Sequence, residues 1–87
     1  MNIKEMIRPQ ESFNKSIDED IQNEGKRAWL ERVLTEGCFE QLIKKQWYSE
    51  AAYVLYRMDE ICKEANLPLL TGEWCESLRS LHLYNKE

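Results

Sequence analysis

Cys38, Cys62, Cys75 and His82 are the side chains in this sequence best suited to nucleophilic or metal chemistry, and their spacing favours neither. Cys75 and His82 lie seven residues apart. In a helix that spacing brings them to one face but separates them by about 10 Å along the axis, too far for a thiolate–imidazole pair. The same four residues form a nominal zinc set, yet they lack the closely spaced ligand pairs typical of such sites. No metal and no cofactor is expected.

The carboxylates are plentiful and ordinary in position. Asp18-Glu19-Asp20 sits where the start of a helix favours acid, and Glu60, Glu64 and Glu73 fall on predicted solvent faces. No glycine-rich run is present to cradle a phosphate, and Gly25-Lys26 opens no strand-to-helix turn. The sequence therefore predicts a protein that is not an enzyme.

Binding remains. Lys44-Lys45-Gln46-Trp47-Tyr48 interleaves bases with aromatics, and Lys26-Arg27 and Arg32 add positive charge. Direct DNA readers are usually strongly basic, because phosphate contacts supply most of their affinity. Here sixteen Asp and Glu outnumber twelve Lys and Arg, for a net charge of −4. A nucleic acid is thus the less favoured partner, with Lys26, Arg27, Lys44 and Lys45 as its candidate contacts. The favoured partner is another protein.

Trp29, Trp47 and Trp74, with Tyr48, Tyr53, Tyr56 and Tyr84, are many large rings for 87 residues, and not all can be fully buried. Tyr53 projects about 160° from the Ala51–Leu55 side of its helix, with Tyr56 and Arg57 on its flank. Tyrosine, tryptophan and arginine dominate binding hot spots. Trp47, Tyr48, Tyr53, Tyr56 and Arg57 are therefore the candidate partner-binding residues. A helix gripped by neighbours on both sides, with Tyr53 packed, is the competing reading. Asp18, Glu19, Asp20 and Glu24 are assigned to steering toward a basic partner, or to imitating nucleic-acid phosphates.

The elements that must position these groups read as helices. Ile3, Met6 and Ile7 allow one or two turns from Asn2, and Pro9 ends them. Pro9 to Lys15 reads as a polar connector with Phe13 as a lone anchor. Ser16-Ile17-Asp18-Glu19 is a capping box, so a helix is expected from Ile17 to a left-handed cap at Gly37. Its apolar stripe changes face: Ile17, Ile21 and Ala28 cluster within roughly 40°, while Trp29, Leu30, Val33 and Leu34 centre about 170° away. One long helix weakened at Gly25 is preferred to a kinked pair, because an interior glycine costs only about 1 kcal/mol against alanine.

Phe39, Leu42 and Ile43 define a short second helix, and Ser49 is placed as the cap of the third. The third carries the clearest stripe, Ala51, Leu55, Met58, Cys62 and Ala65, widened by Val54 and Ile61. Arg57, Asp59, Glu60, Lys63 and Glu64 are assigned to its solvent side, and Pro68 ends it. The four–three spacing also resembles a heptad on which two copies pair, so a homodimer is a second expectation. In the last helix Thr71 is the expected cap, Leu70 and Cys75 a hydrophobic staple, and Trp74, Leu78 and Leu81 the inner face, with His82 beside them. The tail 85–87 should fray.

Tyr48-Ser49-Glu50-Ala51 followed by Leu55 resembles the start of the second helix of a tetratricopeptide unit. The likeness spans half of one repeat, without the usual glycine and without a second copy, and no family is assigned on it.

Three cysteines, odd in number and widely spaced, read as reduced and structural, with an exposed Cys75 forming an intermolecular bond as the exception. That usage points to the cytoplasm. The opening residues do not read as a secretory signal, and the longest uncharged stretch, Ala65 to Gly72, is too short to cross a bilayer.

The expectation is an all-α protein, a compact antiparallel bundle of about four helices (about 17–36, 38–46, 50–66 and 72–83). Residues 1–15 form an N-terminal arm and 16–87 a single helical domain. Its function is to bind another protein as a small regulator or inhibitor, of the kind phage and mobile elements encode.

Overall fold

Gly25 decides the first half of the architecture. It takes φ 94° and ψ 147°, a region that residues bearing a Cβ rarely enter, and the chain leaves helical geometry there. The computed structural model describes residues 10–80, and every helix or strand assigned among them is an α-helix. These are α1 (Gln10–Glu24), α2 (Lys26–Glu36), α3 (Cys38–Lys44), α4 (Tyr48–Glu64) and α5 (Glu73–Ser80). The all-α reading holds, and the expected four helices become five among the described residues. The turns read from Asn2, and the placements of Leu81, His82, Tyr84 and the tail, lie outside the described residues.

The predicted long helix 17–36 fails for a packing reason. A continuous helix would send its two apolar sets to opposite sides. With the break, Ile21 of α1 and Trp29, Leu30 and Val33 of α2 join one buried cluster with α4. Ala28 and Leu34 stay outside, Leu34 with 49% of its surface exposed.

The helix start was also misplaced. α1 begins at Gln10, so Ser16 lies inside it and the predicted capping box is not a terminus. Phe13, Ile17 and Ile21 repeat every fourth residue, and all three pack into that cluster. Burial of this stripe extends the helix upstream, and a proline just before a first turn suits a start as well as a stop.

Three left-handed residues punctuate the rest. Gly37, at φ 66°, caps α2 as predicted. After α3, Gln46 sits at φ 65°, with Gln46 N–H bonded to Ile43 O and Trp47 N–H to Leu42 O, both at 2.9 Å. After α4, Asn66 at φ 58° repeats the pattern, with Leu67 N–H donating to Cys62 O at 2.8 Å. Both are Schellman ends built on residues other than glycine. The α4 cap is Trp47, without a side-chain cap bond, so Ser49 falls inside the helix.

α4 is the axis on which the others hang. Val54, Met58, Ile61 and Cys62 face α1 and α2, while Ala51, Ala52 and Leu55 join Phe39 of α3 and Cys75 and Leu78 of α5. Ala51, Leu55, Met58 and Cys62 of the predicted stripe are buried against the chain's own helices. The inner face of α5 is Cys75 and Leu78. Trp74, expected there, lies outside that face.

Asp59 departs from its predicted solvent side. It is 4% exposed and holds Arg79 of α5 by two bonds, Nε to Oδ2 at 2.9 Å and Nη2 to Oδ1 at 2.7 Å. The same Nη2 donates to Leu70 O at 2.9 Å, so one guanidinium ties α4, α5 and the segment between them.

Candidate functional site

The predicted partner face and the predicted acidic face meet each other. Tyr53 of α4 donates its hydroxyl to Asp18 Oδ1 of α1 at 2.7 Å. Arg57 Nε lies 3.5 Å from the same oxygen without a hydrogen bond, while its Nη1 donates to Glu60 Oε1 at 2.7 Å. The Tyr53 and Tyr56 rings are tilted by 54° with centroids 5.9 Å apart. All three residues are half-buried. Tyr53 and Arg57 direct polar atoms to α1, an arrangement that holds α1 on α4.

Burial, and then the bond to Asp18, push the Tyr53 hydroxyl up to about 12 from its ordinary 10. A group whose pKa is raised by folding gives stability that is complete below the unfolded value and lost as pH climbs through the folded one. The wild-type urea midpoint should therefore fall between pH 10 and about 12, and Tyr53→Phe should flatten that fall. A midpoint series at rising pH reads this directly, and identical slopes in the two proteins contradict the assignment.

Two of the remaining α1 acids, Asp20 and Glu24, are also engaged. Arg32 of α2 donates to both Glu24 carboxylate oxygens at 2.9 and 2.8 Å, reaches Glu36 at 3.3 Å, and lies 3.7 Å from Asp20. The bond from Arg32 holds the Glu24 carboxyl below its usual range. Glu19 alone of the four is exposed without a partner among the described residues. These pairs sit near water, where each is individually weak, but those to Asp20 and Glu24 staple α1 to α2 across Gly25.

The candidate nucleic-acid contacts do not form one free patch. Lys26 pairs with Glu64 at 2.7 Å, and Lys45 stands 4.9 Å above the Trp47 ring. Arg27 and Lys44 are exposed on separate helices.

A different aromatic reaches the surface. Trp74, 46% exposed, stacks on Tyr48 with centroids 5.2 Å apart and planes 19° from parallel. Beside it lies a concavity of about 220 Å³ between α3 and the start of α5. Phe39 and Cys75 are its buried floor, and Ile43 and Trp74 are its apolar walls. Its two charged lining residues, Glu40 and Glu73, have no ion-pair partner among the described residues. The sequence reading missed Phe39, Glu40, Ile43 and Glu73 as site residues and placed Trp74 inside. The signal was ambiguous, because Trp74–Leu78–Leu81 and Cys75–Leu78 are equally regular helical stripes.

A second concavity of about 220 Å³ lies between α1, α2 and α3, and its charged lining is mixed: Asp20, Arg32 and Lys45. Trp29 contributes to it, with its ring buried and its Nε1 lacking an acceptor among the described residues.

The thiols are ill suited to chemistry. Burial pushes Cys38, Cys62 and Cys75 above the ordinary thiol value, and all three are free. Cys75 is 3% exposed, which overturns the exposed-thiol exception. Among the described residues no cluster of three or more His, Cys, Asp or Glu is placed to hold a metal, and no helix is long and apolar enough to cross a membrane.

No protein-family profile, no curated protein and no solved structure matches this chain.

Proposed function

We propose that this chain is a small protein-interaction module of the cytoplasm that regulates or inhibits a partner by occupying its surface, with no chemistry of its own. One observation carries the reading. Trp74, a large apolar ring, is left 46% exposed yet is fixed in place by its stack on Tyr48. An anchor ordered before binding loses little side-chain freedom on docking, and tryptophan at the centre of a contact is a frequent hot spot. The protonated thiols and the paired acids of α1 support the absence of catalysis. Trp47 and Tyr48, at the α3–α4 corner, belong to the proposed contact. Tyr53, Tyr56 and Arg57 flank it at most, since Tyr53 and Arg57 already serve α1.

The test is capture from lysate with wild-type chain and Trp74→Ala side by side, scored by quantitative mass spectrometry. At least one protein should be retained by the wild type and depleted about tenfold or more by the variant, as for a hot-spot truncation. The melting temperature should barely move, because the ring is half in water. Identical retained sets with both chains would remove this reading.

A further inference from the structure

We infer that the groove between α3 and α5 receives a basic amphipathic segment of the partner, with one large apolar side chain seated against Phe39 and cations over Glu40 and Glu73. The inference rests on the protein-binding reading and names the partner's chemistry.

Its first support is the sign of the groove. Among the described residues Glu40 and Glu73 line it and no cation does, and Glu76 lies one turn beyond Glu73. The concavity between α1, α2 and α3 has nearly the same volume but carries Asp20 against Arg32 and Lys45. Elsewhere Asp18, Asp20, Glu24, Glu60 and Glu64 all face cations of this chain. Glu40, Glu73 and Glu76 have no such cation among the described residues, so a partner's lysines or arginines complete the set.

Its second support is shape. The floor of Phe39 and Cys75 is buried and apolar, and the opening admits a single bulky aliphatic or aromatic group. At Gly72 an added Cβ would meet nothing within 4 Å, so the backbone lies open along that rim. A helix that lays one apolar residue into such a slot presents its flanking residues to both rims, which is the helix-in-groove mode.

The experiment measures binding of labelled helical peptides of about 16 residues to the whole chain by fluorescence anisotropy. One peptide carries leucine on one face and lysine on the other, a second replaces lysine with glutamate, and a third replaces leucine with alanine. The leucine–lysine peptide should bind at least about tenfold more tightly than either alternative and weaken as salt rises. Glu40→Gln with Glu73→Gln should erase the charge preference, and Glu40→Lys with Glu73→Lys should reverse it, with circular dichroism confirming the fold.

Equal affinity for both signs, or a preference untouched by these substitutions, overturns the inference. So does a Trp74-dependent dimer in sedimentation equilibrium, which seats a second copy in the groove. If no peptide binds while Trp74-dependent capture persists, the groove's occupant is wrong and the protein-binding reading stands. Loss of that capture difference removes both.

Discussion

Arg79→Met should lower the unfolding free energy by about 3–5 kcal/mol, because it takes the countercharge and two hydrogen bonds from a carboxylate held in the interior. Asp59 is 4% exposed, and two of the bonds that hold it come from this guanidinium. A chain of this size has a total stability of roughly 4–13 kcal/mol, so the loss is close to the whole reserve. Urea unfolding should show a much lower midpoint. If the variant stays folded, hydrogen exchange should place the earliest opening in α5, whose other attachments are mainly Cys75 and Leu78. The double replacement Asp59→Leu with Arg79→Met should recover most of the loss, since a buried ion pair and a well-packed apolar pair of similar volume are often equivalent. A single variant as stable as the wild type would show that water already reaches Asp59.

The second large effect concerns Trp29, which is fully buried where α2 faces α4. Trp29→Ala should cost about 3–5 kcal/mol through lost burial and the cavity left behind. Trp29→Phe should cost far less than half of that. It keeps most of the apolar contact and deletes the Nε1–H, which is buried without an acceptor among the described residues. An unsatisfied buried donor carries a penalty of about 1–3 kcal/mol, which offsets much of the lost ring area. Chemical denaturation of both variants separates the terms. Equal losses would mean that water satisfies the indole and that only volume matters.

How much of this was legible in the sequence follows from how local each cause is. The α4 stripe was legible because Ala51, Leu55, Met58 and Cys62 need only helical period to share a face. Gly37 was legible because a left-handed cap is a property of one residue. Gly25 was seen but misjudged. Propensity gave a cost of about 1 kcal/mol for keeping it helical, whereas the decisive term was where Ile21 and Trp29 must point to reach α4. Ser16 failed for the same reason: a capping box states a preference, and the Phe13–Ile17–Ile21 stripe outweighed it.

The groove was harder still. Glu40 and Phe39 meet Glu73 and Trp74 across more than thirty residues of chain, and nothing in period or spacing records that approach. Tyr53 and Arg57 were read as contacts for a partner and Asp18 as a steering charge, each on its own helix face. Their common answer, each other, is a tertiary fact. Asp59 is the plainest example of the limit, since its partner Arg79 lies twenty positions away and only burial distinguishes it from Glu60.

The two halves of the interior share a single rod. Since α4 supplies side chains to both apolar clusters, neither half has a skeleton of its own to fall back on. Mass action then spreads the benefit of any guest held at one edge: whatever grips the chain beside α3 and α5 also opposes every opening of α1 and α2 that unseats α4, although it never touches them.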